Sequence, residues 1–343
     1  MYFPDARQPW ASANPRRRLR QRWVRAVPDR NKRPWLCGWI LCCVSVCTCT
    51  RATEYELRAD GVPVIGADGH IRSTYHDTLL ELARIHSVGY EEIVRANPGV
   101  NVWLPGENTH ILLPGRHILP PGPREGIVVN LPEHRLYYYP KPRAGEKAVV
   151  LTYPVSIGSL DWRSPLGLTR IVSKEEHPVW IPTESIRKEH AARGDPLPRI
   201  VPAGPDNPLG DFKMRLATGG GTYEIHATNN PVAVGMAVTH GCITMYPEDL
   251  AALFPLVPVG TKVRLINEPV KVAYTHGDLL LEAHPPLNPE GSSARPDLEL
   301  LAELLDGALG PHRAIHWDFA REVLRAATGM PTVIGLGTNV ASR

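Results

Sequence analysis

Three things are scarce in this 343-residue chain: cysteine away from the N-terminus, clustered positive charge away from the N-terminus, and an apolar run long enough to cross a membrane. Cys37, Cys42, Cys43, Cys47 and Cys49 lie within the first 52 residues, and Cys242 stands alone after them. A disulfide framework is thereby excluded for the bulk of the chain. Residues 1–52 carry eleven Lys or Arg against Asp5 and Asp29, so of 38 basic and 35 acidic residues 27 and 33 remain, a formal charge of −6 beyond Ala52. Phosphate neutralisation needs clustered positive charge, so this balance argues against a nucleic-acid binder. The apolar run from Trp35 to about Val46 falls short of the ~20 residues of a spanning helix, which leaves no integral membrane domain beyond the N-terminal segment. A fourth ligand at metal-like spacing to Cys242, His226 and His240 is also missing, which argues against a zinc site, and no cofactor is expected.

The chain does have 35 prolines and 29 glycines. Proline disfavours long helices and central strands, so many turns and a β bias follow. Residues 1–52 read as a targeting segment: basic residues ending at Lys32 and Arg33, the apolar run, then Thr50 and Ala52 at −3 and −1 of a cleavage site before Thr53. A retained N-terminal anchor is the alternative. Either one sends the chain to the periplasm or cell envelope, where a lone cysteine is a buried bystander or a working thiol.

Residues 53–116 open with an alternating stretch to about Ile65. Asp77-Thr78 then caps a helix through Ile85, a second short helix covers Glu91 to Ala96, and Asn97-Pro98-Gly99 stops it. A strand runs from Thr109 to Leu113. This order resembles a LysM module, which implies binding of N-acetylglucosamine-containing glycans; a structural cap on the next domain is the alternative. Residues 117–126 belong to a Pro/Gly-rich linker. Strands dominate 127–268, interrupted by a proline-rich stretch over 178–210 with one helical candidate near Ser185 to Ala192. Residues 269–343 read as a hairpin, Val270 to Tyr274 with Leu279 to Ala283, then amphipathic helices over Arg295 to Leu309 and Trp317 to Thr328. Packing of these helices on the preceding domain is the simpler expectation.

The segment Tyr223 to Leu250 carries the chemistry. His226 ends a β-like run, and Thr239-His240-Gly241-Cys242 follows a strand-like Met236-Ala237-Val238. An imidazole that takes a thiol's proton makes a strong nucleophile. Gly241 permits tight backbone geometry, so that successive N–H groups can face one oxyanion. Spacing alone does not bring these groups together.

The segment resembles the signature of the YkuD-type L,D-transpeptidases (ErfK/YbiS-like): a His, about fifteen residues, then Ser/Thr, any residue, Gly, Cys. Similarity extends upstream to Gly158, Pro165, Gly167, Pro178 to Pro182 and Val201 to Gly210, covering roughly 127–268. The resemblance implies a mainly β protein. Its catalytic domain would be a YkuD-like β-sandwich, with a small α/β LysM-like module before it and a hairpin plus two helices after it. It implies a peptidoglycan cross-linking enzyme. Cys242 would attack an L-centre carbonyl of a donor stem peptide, and His226 would be the base. The Ala227 carbonyl would orient that imidazole, and the N–H groups of His240, Gly241 and Cys242 would hold the oxyanion. Tyr223, Ala237, Thr239 and Thr244 are the expected substrate-binding positions. The acceptor would be the meso-diaminopimelate amine of a neighbouring stem, giving 3–3 or 1–3 links, and carbapenems would acylate the same thiol. Relatives commonly carry Arg where this chain has Ala237 and Thr244, which implies a weak enzyme, a donor anchored elsewhere, or attack at a different donor bond. An L,D-carboxypeptidase or endopeptidase, and a non-catalytic peptidoglycan-binding protein, are the alternatives.

Overall fold

The computed structural model describes residues 53–275, 277–287, 297–308 and 314–336. The expected targeting segment 1–52 lies outside them, as do Arg295 and Leu309, the bounds expected for the first C-terminal helix.

The first seven elements are β1 (Thr53–Glu56), β2 (Val64–Ile65), β3 (Gly69–Arg72), α1 (Leu79–Ile85), α2 (Tyr90–Ala96), β4 (His110–Leu113) and β5 (His117–Ile118). Thr78 caps α1 reciprocally with Glu81, each side chain satisfying a backbone N–H of the other's turn. Asn97 does more than stop α2. Its buried amide bonds to the Ile93 and Leu112 carbonyls and accepts from Leu112 N–H, tying helix to strand. β3 and β4 pair antiparallel over a core of Leu79, Leu82, Ala83, Ile93 and Ile111. β1 stands outside this unit, paired with a strand of the large sheet, and β5, in the expected linker, pairs with β2.

The central part comprises β6 (Gly126–Asn130), β7 (Arg135–Tyr139), β8 (Val149–Pro154), β9 (Ile157–Gly158), β10 (Gly167–Glu176), α3 (Glu184–Ala192), β11 (Phe212–Leu216), β12 (Glu224–His226), β13 (Ala237–Thr239), β14 (Ile243–Thr244), α4 (Pro247–Leu253) and β15 (Lys262–Ile266). Nine strands join in the order β1-β8-β7-β6-β15-β10-β11-β12-β14. β10 belongs to both halves: Gly167 to Arg170 pair with β15, and Ile171 to Glu176 pair with β11 across an irregularity at Ile171/Ser173. Such a bulge bends a strand. Side chains from both halves then meet in one core, Ile127, Leu136 and Tyr153 from one and Met214, Ile225 and Ile243 from the other. This is the sandwich-like, mainly β arrangement that the resemblance implied.

The C-terminal elements are β16 (Val270–Thr275), β17 (Asp278–Ala283), α5 (Leu298–Ala308), β18 (Ala314–Ile315), α6 (Trp317–Ala326) and β19 (Thr332–Leu336). The expected hairpin becomes half of a four-stranded sheet, β16-β17-β19-β18. Leu301, Leu305, Ala320 and Leu324 of the two helices pack on it. Buried charges join the parts. Glu92 of α2 receives Arg135 of β7 in a forked bond, and the Lys271 ammonium lies 2.8 Å from Glu133 and 2.7 Å from Glu282.

Candidate active site

The site stands on the edge of the sheet where β11, β12 and β14 run side by side. Lys213 pairs with His226, and His226 with Thr244. Side chains alternate across a strand. Met214, Ile225 and Ile243 therefore enter the core, while Lys213, Glu224, His226, Cys242 and Thr244 face outward into a common cleft. β12 and β14 run parallel, so Cys242, one residue before Ile243, lies beside Glu224 and diagonal to His226. Eighteen residues of sequence are closed by that single register.

His226 Nδ1 lies 2.6 Å from the Ala227 carbonyl. A carbonyl only accepts, so Nδ1 carries the proton and Nε2 presents its lone pair. Thr244 Oγ1 approaches Nε2 at 3.4 Å and donates to it. Burial holds the imidazole down at about 4, opposed by the bond to Ala227 and reinforced by Lys213. The Cys242 thiol is half-buried and donates to the Thr222 carbonyl at 3.8 Å. Burial pushes it up to about 11, against a backbone hydrogen bond from Glu224. At neutral pH both groups are therefore uncharged. For the imidazole to take the thiol proton, the thiol must leave the Thr222 carbonyl and Thr244 must release Nε2, which lies on the same face.

The turn before the thiol is braced from two sides. Thr239 Oγ1 donates to the Cys242 carbonyl at 2.6 Å and accepts from Gly241 N–H at 3.2 Å. Ser164 Oγ donates to the Gly241 carbonyl at 3.0 Å and accepts from Gly158 N–H at 2.9 Å. Gly241 has φ +101, and an added Cβ would stand 2.6 Å from the Tyr223 ring. Its N–H, expected to face an oxyanion, is thus engaged by Thr239. Tyr223 lines the cleft and also acts as the wall that requires glycine at 241. His240 turns away from the thiol: its Nε2 meets Glu189 of α3 at 2.8 Å, and its ring packs edge-on against Trp162.

The cleft has a volume of about 890 Å3. The proline-rich stretch 178–210 forms its opposite wall through Val179, Trp180, Ile181, Leu197 and Leu209. Sequence periodicity gave no sign of this, because the stretch is neither strand nor, apart from α3, helix. Ala237, expected at the substrate surface, does not line this cleft. β13 shifts register on β9 between Ala237 and Thr239, so the two residues are not held to one face. Thr239 lines the thiol's cleft, and Ala237 lines a separate cavity of about 460 Å3 with Arg95, Arg163 and His134. Lys213, Glu224, Ser164 and Glu189 were not singled out from the sequence; only the outward alternation of β11 and β12 could have marked the first two. Among the described residues one cluster has metal-ligand chemistry, His117, Glu133 and Glu282. It lies outside the cleft lining, and the Lys271 ammonium already neutralises its carboxylates.

A thiol, a tautomer-fixed imidazole and a glycine turn in an apolar cleft are the groups that acyl transfer through a cysteine would use. The comparisons give its family. The YkuD family, the L,D-transpeptidase catalytic domain, matches residues 124–265. The Escherichia coli probable L,D-transpeptidase YcfS is 37% identical over 288 residues, 82% of this chain and 88% of that protein. The Escherichia coli probable L,D-transpeptidase YbiS is 39% identical over 249 residues, 71% and 79% respectively. The probable L,D-transpeptidase ErfK/SrfK of the same organism is 35% identical over 300 residues, 84% and 92%. The chain belongs to the YkuD-type L,D-transpeptidases and is an enzyme of that class. Similarity to YcfS and ErfK/SrfK is longer than the catalytic match, so it takes in flanking sequence as well. No helix among the described residues is long and apolar enough to cross a membrane.

Proposed function

We propose that the enzyme cross-links peptidoglycan stem peptides with Cys242 as nucleophile and His226 as general base. The parallel register of β12 on β14, which sets both side chains on one face, carries this reading. The thiol sulfur bonds to an L-centre carbonyl carbon of the donor while its proton passes to His226 Nε2. The backbone N–H groups of His240 and Cys242 take the developing oxyanion, with Gly241 N–H kept by Thr239 to hold the turn. The C–N bond to the D-residue that follows the L-centre then breaks, and His226 returns the proton to the leaving amine. The meso-diaminopimelate amine of a neighbouring stem attacks the thioester, gives its proton to His226, and restores the thiol. Attack at the third residue yields 3–3 links; attack at L-Ala yields 1–3 links. No step needs a metal or an organic cofactor.

A strained β-lactam carbonyl offers the same thiol an acyl group without a leaving fragment, so carbapenems acylate Cys242. The β3-α1-α2-β4 unit serves as a LysM-like glycan-binding module and the N-terminal segment directs export to the periplasm. The test is mass spectrometry of disaccharide-tetrapeptide incubated with wild type and Cys242→Ala. Dimers made by the wild type alone support transpeptidation. Shortened monomers alone would turn the reading to hydrolysis, and no change with either folded protein would turn it to a binding role.

A further inference from the structure

Two rows of side chains cross the cleft floor. Lys213, His226 and Thr244 make one, and Arg215, Glu224 and Cys242 the other. Among the described residues lining the cleft, Lys213 is the one Lys or Arg, and Glu224 and Asp206 are the carboxylates. Arg215 is exposed and does not line it. The Lys213 ammonium lies 3.4 Å from Glu224 Oε1 and 3.2 Å from Glu175 Oε2, with the Lys213 and Glu224 side chains 17% and 14% exposed. A close charge-assisted bond measures ~2.7–2.9 Å, so this pair is loose. Burial raises the Glu224 carboxyl, and Lys213 opposes that shift. Glu175 holds the ammonium from outside the cleft, leaving both members of the pair able to take new partners.

The surrounding wall is apolar, so a ligand that brings one charge strands the other member in a desolvated place. The pair matches a ligand bearing both charges on one carbon, an α-amino-acid head, with its carboxylate on Lys213 and its ammonium on Glu224. Glu224 lies beside Cys242 across the strands, ~5 Å away, and Lys213 lies one row on, ~7 Å along the strands. A diaminopimelate L-centre placed at Cys242 has its D-centre four carbon–carbon bonds away, ~5 Å, so the amino-acid head reaches the space between the two side chains. We propose that Lys213 and Glu224 select the donor by the free ammonium and carboxylate of its meso-diaminopimelate D-centre. This fixes attack at the L-centre carbonyl of that residue and gives 3–3 links. The inference rests on the transpeptidase reading above and names its donor.

The test uses the full chain and three disaccharide-tetrapeptides that differ only at the third residue: meso-diaminopimelate, its D-centre carboxamide, and L-lysine. Acyl-enzyme formation on Cys242 is followed by intact mass and by D-alanine release. The free diacid is expected to lead both other donors by about 10–100-fold in kcat/KM, the worth of a charge-assisted bond. Lys213→Gln is expected to collapse that preference to within about threefold, chiefly through KM, and Lys213→Arg to retain it. Glu224→Gln is expected to weaken all three donors, which share the ammonium. Alkylation of Cys242 by iodoacetamide reads thiol reactivity without the subsite; a loss there matching the loss in acylation would overturn the proposal. Equal use of the three donors by the wild type would also overturn it while leaving the transpeptidase reading intact, and this outcome needs no variant to fold. Acylation by none of them would sink both.

Discussion

His226 has one nitrogen committed to the Ala227 carbonyl and one facing the cleft, and its proton affinity is held low by burial. As the proposed general base, it works only when neutral. Activity is therefore expected to persist as the pH falls through 6 and to fail around pH 4, the opposite of an exposed histidine, whose loss centres near ~6.5. The kcat/KM profile for acyl-enzyme formation checks this, and an acid limb near 6.5 would contradict the buried imidazole. On the alkaline side, a thiol at about 11 predicts no ionisation limb through pH 9. Gly241→Ala is expected to cost about 1–3 kcal/mol from its left-handed backbone and to depress acylation further by pushing on Tyr223. Urea unfolding and single-turnover acylation read the two effects separately.

At the scale of elements, the catalytic turn depends on side chains from elsewhere in the chain. Ser164 joins Gly158 to Gly241 from a buried position. Ser164→Ala leaves the Gly158 N–H and the Gly241 carbonyl without that partner, at a cost of about 1–3 kcal/mol. It should slow acylation with little change in donor KM, because the turn loosens while the cleft wall stays. The contact of α3 with the turn is of another kind. Glu189 and His240 are partly exposed, and such a pair adds little to stability. It does tether the proline-rich wall to the loop that holds the thiol. Glu189→Ala should therefore leave the melting temperature nearly unchanged while speeding hydrogen exchange across residues 184–192.

At the scale of the whole molecule, the parts are joined by buried charge. Lys271 of β16 neutralises Glu133 and Glu282 and donates to the Ile118 carbonyl at 2.6 Å. Lys271→Met would leave two carboxylates buried without a cation. An expected loss of roughly 3–5 kcal/mol follows, to be measured by denaturant unfolding. Acid should also destabilise the fold. His117, His134 and His226 are all depressed by burial, the last two to about 4. Between pH 6.5 and 4 the unfolded chain binds protons at these sites that the folded chain refuses, so stability falls as the pH falls. Asp249, pushed up to about 7 by burial, acts in the opposite sense over the same range. His86 is lowered by burial as well, and Glu224 and Glu268 are raised; four imidazoles against three carboxyls give a net loss, and the melting temperature at pH 5 should lie below that at pH 7, with His134→Gln reducing the difference.

Local chemistry was legible in the chain. Asp77-Thr78 marks the start of α1, Asn97-Pro98-Gly99 the end of α2, and the β-like run ending at His226 a strand with one face to the core. His226, Gly241 and Cys242 offered a base, a permissive turn and a nucleophile by residue type, and it was the resemblance to the YkuD-type signature that joined them into one expected site. Other features depended on partners distant in sequence. The register of β12 on β14 decides that thiol and imidazole share a face. The shift of β13 on β9 moves Ala237 out of the cleft. The proline-rich wall has no period to read, and the C-terminal hairpin gains β18 and β19 only by long-range pairing. Lys213 and Glu224 were not singled out, because only a covering segment distant in sequence makes them a charged spot in an apolar cleft. Residue type and short-range periodicity fix what each segment can do; burial and register, set by the closure of distant strands, fix which of those capacities meet.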